Sequence, residues 1–218
     1  MNPANYIDHT LLKPTATRAQ LIRVCEEAKQ YGFASVCVNP CNVALVAGQL
    51  AGSPVKVCSV VGFPFGTHTT QVKLEETRAA LADGAQEIDM VINVGRLLDG
   101  DEAYVQAEVQ ALAEACHRAG ALLKVIVETC YLEERQIAAM CRIVEDTGAD
   151  FIKTSTGYGT RGASPEDIRL FKKYLKKPAL IKASGGIRTA QDAQMYLELG
   201  CARLGTSSGV AIVDGWQA

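Results

Sequence analysis

The stretch Phe151-Ile152-Lys153-Thr154-Ser155-Thr156-Gly157-Tyr158-Gly159 decides what fold and what chemistry we expect. It begins as an apolar strand, carries a lysine, and then turns into hydroxyl side chains and glycines. An ammonium group on a buried strand costs several kcal/mol unless it is paired, neutralised or used. The same pattern recurs at Leu180-Ile181-Lys182-Ala183-Ser184-Gly185-Gly186. Since about one strand–helix–strand unit separates Lys153 from Lys182, a parallel sheet makes them neighbours, which suggests amine chemistry.

Outward from this stretch, strand-like and helix-like periods alternate along the whole chain. Strands are predicted over residues 7–12, 35–38, 55–61, 87–92, 122–127, 151–155, 180–184 and 203–206. Helix starts are indicated by Thr17-x-x-Gln20, by Ser164-Pro165-Glu166-Asp167 and by Thr189-x-x-Asp192. Eight such units without a linker favour a parallel sheet in a single domain over residues 1–218.

Closing that sheet gives an α/β fold of the (β/α)8 TIM-barrel type, and 218 residues is near the low end of its usual length. A doubly wound open sheet is the alternative. Polar residues occur at or just after the carboxyl ends of the strands, where the active sites of barrels lie. This position favours the barrel.

Composition narrows the function classes. Hydrophobic residues make up 48% of the chain, enough for one sizeable core, and the net charge of −2 gives no general attraction to nucleic acid or an anionic membrane. The basic run at residues 172–177 is interpreted as the solvated last turn of a helix. Membrane-spanning and signal-peptide patterns are not found. We therefore expect a cytoplasmic protein with no nucleic-acid or membrane partner.

Cysteine and histidine patterns give no support for a metal or a disulfide framework. The eight cysteines include no Cys-x-x-Cys pair, and most lie in apolar segments, as small buried side chains do. The three histidines, at positions 9, 68 and 117, form no ligand pair at helical spacing. Reduced thiols and a reaction without metal or other cofactor are expected.

A pair of lysines can solve the problem that an ordinary lysine, with a pKa of about 10.4, is only ~0.04% free amine at pH 7. A second ammonium ~5 Å away costs ~3 kcal/mol at an effective dielectric of ~20, which lowers a lysine pKa by ~2.4. Desolvation acts in the same direction. One lysine of the Lys153/Lys182 pair can then be neutral and form a Schiff base while the other stays charged. The alternative is that each lysine merely pairs with a carboxylate.

Three further strand residues are candidates for the same site. Asp89, in Ile88-Asp89-Met90, can neutralise a lysine or carry protons as a carbinolamine collapses. Asp8 and Lys124 are second-rank members that set the charge balance.

Phosphate binding is suggested by loops that follow the last three strands. Ser184-Gly185-Gly186 follows the seventh strand, and Gly205-Thr206-Ser207-Ser208-Gly209 follows the eighth and opens a short helix. Thr156-Gly157, after the sixth strand, is a third segment that could contact the phosphate. Barrels often hold a phosphate here, through backbone N–H groups and a helix N-terminus.

A dinucleotide motif is present but is rejected. Gly157-Tyr158-Gly159-Thr160-Arg161-Gly162 fits G-x-G-x-x-G after a strand. A dinucleotide site opens its helix within those glycines and places an acid near the end of the next strand. Here the helix signal comes only at Ser164-Pro165, and the next strand ends at Lys182-Ala183-Ser184.

Together these segments make the chain resemble the 2-deoxyribose-5-phosphate aldolases. The matching segments are Ile7-Asp8-His9-Thr10-Leu11, Val36-Cys37-Val38-Asn39-Pro40, Gly62-Phe63-Pro64-Phe65-Gly66, Glu87-Ile88-Asp89-Met90-Val91-Ile92-Asn93, Leu123-Lys124-Val125-Ile126-Val127-Glu128-Thr129, Phe151-Ile152-Lys153-Thr154-Ser155-Thr156-Gly157, Lys182-Ala183-Ser184-Gly185-Gly186-Ile187-Arg188 and Gly205-Thr206-Ser207-Ser208.

The resemblance implies a (β/α)8 barrel that reversibly cleaves 2-deoxy-D-ribose 5-phosphate to D-glyceraldehyde 3-phosphate and acetaldehyde, without metal. It implies that Lys153 forms the Schiff base, that Lys182 lowers its pKa and that Asp89 carries protons. The residues that match the phosphate loops of the family are Gly157, Gly185, Gly186, Ser207 and Ser208.

Two departures from the family pattern bear on the site. Some members place a lysine where this chain has Tyr158, so one phosphate contact is missing or is replaced, for example by Arg188. Some carry a C-terminal tyrosine tail, whereas this chain stops at Trp216-Gln217-Ala218. The group that protonates the enamine is therefore left open.

Two rival functions and the oligomeric state also stay open. One rival is another Schiff-base aldolase or transaldolase with a different donor, and the other is a silent sugar-phosphate sensor. A homo-oligomer such as a dimer is compatible with the sequence, since barrel helices bury one face with or without a neighbour.

Overall fold

Strands and helices alternate in the computed structural model, which describes residues 2–176 and 179–217. The strands are β1 (Ile7–Leu11), β2 (Ser35–Val38), β3 (Lys56–Val61), β4 (Glu87–Val91), β5 (Leu122–Ile126), β6 (Phe151–Lys153), β7 (Leu180–Ser184) and β8 (Arg203–Thr206). The helices are α1 (Arg18–Tyr31), α2 (Val43–Leu50), α3 (Thr70–Ala82), α4 (Val94–Leu98), α5 (Glu102–Arg118), α6 (Glu134–Thr147), α7 (Pro165–Tyr174), α8 (Ala190–Glu198) and α9 (Gly209–Asp214). One-turn 3-10 helices lie at Pro3–Tyr6, Pro40–Asn42 and Thr129–Tyr131.

The sheet closes on itself. All eight pairings are parallel, and β1 is hydrogen-bonded to β2 on one side and to β8 on the other, with Asp8 opposite Ser35 and Gly205. This confirms the (β/α)8 barrel and rules out the open sheet.

Alternate side chains of each strand point into two different buried regions, the layer between the sheet and the helices and the inside of the barrel. Residues at every second strand position face the helices and form the main apolar core, for example Ile88 on β4 and Leu123 on β5. Helix α5 contributes Val105, Val109 and Leu112 at helical spacing. Burying each such side chain fully contributes roughly 1.5–3 kcal/mol. The intervening strand positions face the barrel axis, and several of them are charged.

The predicted helix starts are confirmed by their caps. Thr17 and Gln20 form a reciprocal capping box at α1, as do Thr189 and Asp192 at α8. At α7, Ser164 forms the same motif with Asp167 and is followed by Pro165. Because α7 begins only at Pro165, residues 157–162 form a loop rather than the glycine turn of a dinucleotide site.

The structure shortens some predicted elements and adds one. β6 ends at Lys153 rather than at residue 155, because Thr154 and Ser155 bond to Ser184 of the neighbouring strand: the Ser184 N–H donates to Thr154 Oγ1 at 3.1 Å and the Ser184 hydroxyl donates to the Ser155 carbonyl at 2.6 Å. Helix α4 was not predicted. It begins where the side chain of Asn93 accepts a bond from the Arg96 N–H.

Other sequence predictions can be checked against the same structure. Lys172 and Lys173 lie in the last turn of α7, as predicted for the basic run, and Lys177 lies outside the described residues. All eight cysteines are free thiols. In the part of the chain that the structure describes, the helices are too short or too polar to cross a membrane.

Candidate active site

Lys153 and Lys182 are register partners on β6 and β7, so their side chains lie side by side inside the barrel. Each ammonium nitrogen donates a hydrogen bond of 2.6 Å to the same oxygen, Asp89 Oδ2. The two nitrogens are therefore no farther apart than the sum of those two bonds. The prediction that the two lysines are neighbours is confirmed.

Asp89 is a fully buried carboxylate at the centre of this group. Its second oxygen, Oδ1, accepts a bond of 2.8 Å from Lys124 Nζ and one of 3.2 Å from Cys58 Sγ. Burial alone raises the pKa of Asp89, but the charges of Lys124, Lys153 and Lys182 outweigh burial and hold this pKa well below the ordinary aspartate value. Asp89 is therefore ionised and bridges three cations.

Lys182 has a second anionic partner, because its nitrogen also forms an ion pair with Asp8 Oδ2. Burial alone lowers the pKa of Lys182, but Asp8 and Asp89 more than offset this and raise the pKa above its ordinary value. Asp8 behaves in the complementary way. Burial raises its pKa, and the charges of Lys182, Lys124 and Arg203 lower it further than burial raises it. Lys182 and Asp8 are thus a permanently charged pair.

A second ring of ionic contacts lies below this pair. Glu87 forms ion pairs of 2.6 Å with Lys124 and 2.8 Å with Arg203, and Arg203 also reaches Asp8 at 2.6 Å. The connected network contains the carboxylates Asp8, Glu87 and Asp89 and the cations Lys124, Lys153, Lys182 and Arg203. With every group ionised, one positive charge is in excess. Loss of one lysine proton makes the network neutral.

A cavity of about 240 Å³ lies above the network, at the carboxyl ends of the strands. Its lining residues are Thr10, Leu11, Leu12, Lys13, Lys153, Thr156, Gly157, Tyr158, Ser184, Gly185, Gly186, Ile187, Arg188, Gly205, Thr206 and Ser207. Lys153 is the lysine of the network that lines this cavity, whereas Lys124 and Lys182 are buried beneath it. An aldehyde that enters the cavity therefore meets the amine of Lys153 first.

Most of the predicted phosphate residues line the same cavity. They are Gly157, Gly185, Gly186, Arg188 and Ser207. Ser208 is not among the lining residues of the described chain. Its N–H donates to Thr206 Oγ1 at 2.9 Å and it precedes α9. Lys13, which the sequence did not indicate, also lines the cavity and is its third basic side chain, with Lys153 and Arg188.

Glycine is required where two of these loops touch. Gly185 has a φ of 84°, and a Cβ added there would lie 2.8 Å from the Cα of Gly162. The N–H of Ala163 donates to the Ser184 carbonyl at 3.0 Å in the same contact. The last glycine of the dinucleotide-like motif thus serves loop packing.

Tyr158 crosses the mouth of the cavity. Its hydroxyl donates to the Leu12 carbonyl at 3.1 Å, and its ring packs edge-on against Phe63 at 5.4 Å between centroids. Tyr158 therefore links the β6–α7 loop to the β1–α1 loop.

Comparison with known proteins points to one family. The model of the DeoC/LacD family aldolases matches residues 4–215. A deoxyribose-phosphate aldolase from Treponema denticola is 67% identical over 210 residues, which cover 96% of this chain and 97% of that protein. Another from Thermococcus gammatolerans is 51% identical over 217 residues, which cover 99% of this chain and 96% of that protein.

The chain belongs to the DeoC/LacD family of aldolases. The barrel agrees with this membership. It superimposes on the solved structure titled "Unique tetrameric structure of deoxyribose phosphate aldolase from Aeropyrum pernix" with a TM-score of 0.91 and 34% sequence identity, covering 97% of this chain and 89% of that one.

Sequence reasoning missed two charged residues of this aldolase's network, Glu87 and Arg203. Glu87 lies two positions before Asp89 on β4, so it faces the same side of the sheet, a signal that the strand period offers. Arg203 is the register partner of Lys182 on β8. Its role depends on barrel closure, which brings Asp8 of β1 alongside.

Two cysteines beside Asp89 were also unassigned. Cys37 and Cys58 are register partners on β2 and β3, and donor atoms of Cys37, Cys58 and Asp89 lie within 4.8 Å of one another. Such a trio resembles a set of metal ligands, but Lys124 Nζ lies 3.4 Å from Cys58 Sγ and is bonded to Asp89. The ammonium of Lys124 therefore already engages two of the three donors, those of Cys58 and Asp89.

Proposed function

We propose that this chain is a deoxyribose-phosphate aldolase that reversibly cleaves 2-deoxy-D-ribose 5-phosphate to D-glyceraldehyde 3-phosphate and acetaldehyde through a Schiff base on Lys153. The observation that carries the proposal is that Lys153 lines the cavity while the other network lysines lie beneath it. The relatives from Treponema denticola and Thermococcus gammatolerans, both described as deoxyribose-phosphate aldolases, support the substrate.

The charge of the network selects the nucleophile. Lys182 is held as an ammonium by Asp8 and Asp89, and Lys124 by Glu87 and Asp89. The excess positive charge is removed most easily at Lys153, because Lys153 lines the cavity and Lys124 and Lys182 do not. Lys153 is then the free amine.

The reaction begins when the neutral Lys153 amine attacks the aldehyde carbon of the open-chain sugar. The carbinolamine loses its hydroxyl as water, with the proton delivered by Asp89 through a water molecule, and the iminium forms. The hydroxyl on C3, the carbon that forms one end of the scissile C2–C3 bond, then gives its proton to water, and C3 becomes the aldehyde carbon of glyceraldehyde 3-phosphate. The electrons of the broken C–C bond move into the iminium and give the enamine of acetaldehyde. Protonation of that enamine and hydrolysis regenerate Lys153.

The main role of Asp89 is to position the ammonium groups of Lys124, Lys153 and Lys182, and storage of a proton is secondary. Because its pKa is held well below the ordinary value, a proton on Asp89 is short-lived and passes on to a lysine or to water. Its part as proton carrier is thus transient. Asp8 and Lys124 set the charge of the network from below.

The phosphate group is proposed to bind between the loops that carry Gly157, Gly185, Gly186 and Ser207, next to Arg188. Gly157, Gly185 and Gly186 have positive φ angles, a backbone conformation found in the concave nests of N–H groups that bind anions. Ser208 is also proposed to contribute to phosphate binding, because it lies at the start of α9, although it does not line the cavity. No metal or cofactor is assigned a step.

Borohydride trapping tests the nucleophile. Reduction in the presence of substrate should attach a two-carbon ethyl unit to Lys153, located by peptide mass spectrometry, and Lys153→Ala should abolish both labelling and turnover. Labelling at Lys182 instead would reverse the assignment. An absence of any label in an enzyme that binds substrate would favour the silent sugar-phosphate sensor.

Donor selectivity separates this proposal from a related aldolase or transaldolase. Acetaldehyde should be accepted as the aldol donor in synthesis, and pyruvate or dihydroxyacetone should not. The measurement is product formation with glyceraldehyde 3-phosphate as the common acceptor.

We also propose one barrel domain over residues 1–218, a cytoplasmic location and a homo-oligomer such as a dimer. The eight free thiols suit a reducing compartment. Exposed apolar side chains, among them Phe65, Leu98 and Tyr131, suit self-association, and the Aeropyrum pernix relative is a tetramer. Sedimentation velocity measures the assembly directly, and a monomer at all concentrations would contradict this proposal.

A further inference from the structure

Glu128 is a buried carboxylate that the steps above do not use. It follows β5, is 3% exposed and has a φ of 54°. A residue with a Cβ pays of order 1–3 kcal/mol for such a left-handed conformation, and strain of this kind is retained mainly at functional sites. The strained backbone directs the Glu128 carboxylate toward the loop after β6.

The partner of Glu128 in that loop is Thr156. The Thr156 N–H lies 3.3 Å from both carboxylate oxygens, and the Thr156 hydroxyl is hydrogen-bonded to Glu128 Oε2. The same hydroxyl oxygen accepts a bond of 3.0 Å from the Tyr158 N–H. Three bonds thus fix the position of Thr156 relative to Glu128.

Thr156, like Tyr158, lines two cavities. It lines the cavity that contains Lys153 and a smaller one of about 70 Å³ that contains Glu128. The Thr156 hydroxyl therefore connects a buried carboxyl group with the space in which the enamine forms.

The direction of the Thr156 hydroxyl depends on the proton of Glu128. A hydroxyl has one hydrogen to donate and two lone pairs that accept. When Glu128 is protonated, Thr156 Oγ1 accepts from both Glu128 and Tyr158, so its own hydrogen is free to point into the Lys153 cavity. When Glu128 is ionised, that hydrogen goes to Glu128, and a lone pair of Thr156 is left for the cavity.

We propose that Thr156 protonates the enamine and that Glu128 is the proton store behind it. The inference rests on the proposed aldolase reaction. The terminal enamine carbon takes the Thr156 hydrogen and forms a C–H bond, the nitrogen lone pair forms the iminium, and Thr156 takes the proton of Glu128, which becomes a carboxylate. The proton released when water adds to the iminium restores Glu128. In the reverse direction, ionised Glu128 removes a methyl proton through Thr156.

Groups around Glu128 determine when it titrates. Burial raises the pKa of Glu128, whereas its bonds from Thr156, the charge of Lys153 and a bond from Cys130 oppose this rise without cancelling it. The phenol side chains of Tyr131 and Tyr158 line the same small cavity. Since removal of a methyl proton requires the carboxylate, the relay slows as the pH falls through the raised pKa of Glu128.

Exchange of acetaldehyde methyl hydrogens in D₂O measures this step without cleavage or phosphate binding. Borohydride trapping on Lys153 in parallel counts the iminium, so exchange is expressed per trapped iminium. Thr156→Val should lower this rate by about 10²-fold or more, and Thr156→Ser, which keeps the hydroxyl, should stay within a few-fold of the natural chain. Glu128→Gln should lower the rate more than tenfold and remove its pH dependence.

Exchange at the natural rate in Thr156→Val would overturn the proposal, as would an unchanged pH profile in Glu128→Gln. These outcomes are distinct from failure of the aldolase assignment, in which the natural chain itself traps no acetaldehyde on Lys153. A purely structural role of Thr156 would reduce the amount of trapped iminium and raise the KM for substrate. If the exchange rate per trapped iminium stays at the natural value while these two readouts change, the relay is also contradicted.

Discussion

At the scale of single residues, three buried lysines of similar sequence context differ in what they touch. Lys182 contacts Asp8 and Asp89, Lys124 contacts Glu87 and Asp89, and Lys153 contacts Asp89 at the floor of the cavity. The identity of the nucleophile thus follows from access to the cavity and from the excess of one cation in the network.

Removal of Lys182 should change the pH dependence of activity. In Lys182→Leu the cations and carboxylates of the network are equal in number, so no excess positive charge is left to favour the loss of a proton from the network. We expect the acid limb of the pH profile of kcat/KM to move to higher pH, and activity at pH 7 to fall at least tenfold. Lys124→Leu should give a smaller displacement, because Lys124 bonds to the other oxygen of Asp89. A natural pH profile in Lys182→Leu would remove its proposed role.

Loss of the cation at Arg188 should affect the phosphate end of the substrate. Hydrogen bonds to charged groups contribute about 1.5–3 kcal/mol, which corresponds to roughly 10–150-fold in binding. Arg188→Leu should raise the KM for deoxyribose 5-phosphate in that range and leave kcat/KM for deoxyribose without phosphate nearly unchanged. Equal effects on both substrates would show that Arg188 acts on the fold rather than on phosphate.

At the scale of elements, a second buried ion pair fastens helices α3 and α5 to the end of β4. Lys73 Nζ donates to Glu108 Oε1 and to the Val91 carbonyl, both at 2.7 Å, and Glu108 Oε2 accepts from the Asn93 N–H at 3.1 Å. Burial lowers the pKa of Lys73 and raises that of Glu108, and the charge of each opposes the change in the other. Together they position the loop after Asp89.

This pair should follow the asymmetry of buried ion pairs. Removal of one partner leaves an unpaired charge and costs about 3–5 kcal/mol, whereas removal of both is often far less costly. Lys73→Met should therefore lower the free energy of unfolding by roughly that amount in urea titration. The double variant Lys73→Met/Glu108→Met should lose much less free energy of unfolding than the sum of the losses in the two single variants. Simple additivity would contradict the coupling of the pair.

At the scale of the whole molecule, charged groups inside the barrel make stability depend on acid pH. The pKa of Asp8 is lowered in the folded state. Its contribution is therefore complete above the unfolded aspartate pKa of about 3.9 and is lost as the pH falls below that value toward the folded pKa.

Asp8→Asn isolates this contribution. The variant should be less stable than the natural chain at pH 7, because Lys182 and Arg203 lose an anionic partner, and the difference should shrink at pH 3. The measurement is the free energy of unfolding in urea at the two pH values. A difference of equal size at both would show that Asp8 does not titrate between them.

Local pattern was enough for the order of the elements, the closed barrel and the neighbouring positions of Lys153 and Lys182. Strand period, helix caps and the glycines after strands act over a few residues, and parallel pairing of successive units then follows. The same locality explains the errors. Helix α4 depends on one cap at Asn93, and β6 ends early because Ser184 forms hydrogen bonds with Thr154 Oγ1 and with the Ser155 carbonyl.

The amino-acid sequence by itself determined the barrel and the neighbouring positions of Lys153 and Lys182 inside it, because these follow from short-range periodicity and chain order. Only the tertiary structure decided that Asp89 bridges three cations, that Arg203 and Glu87 complete the network, and that Glu128 reaches Thr156. Such contacts join different strands and loops, and strand pairing together with closure of the barrel, rather than any local preference, brings their side chains within bonding distance.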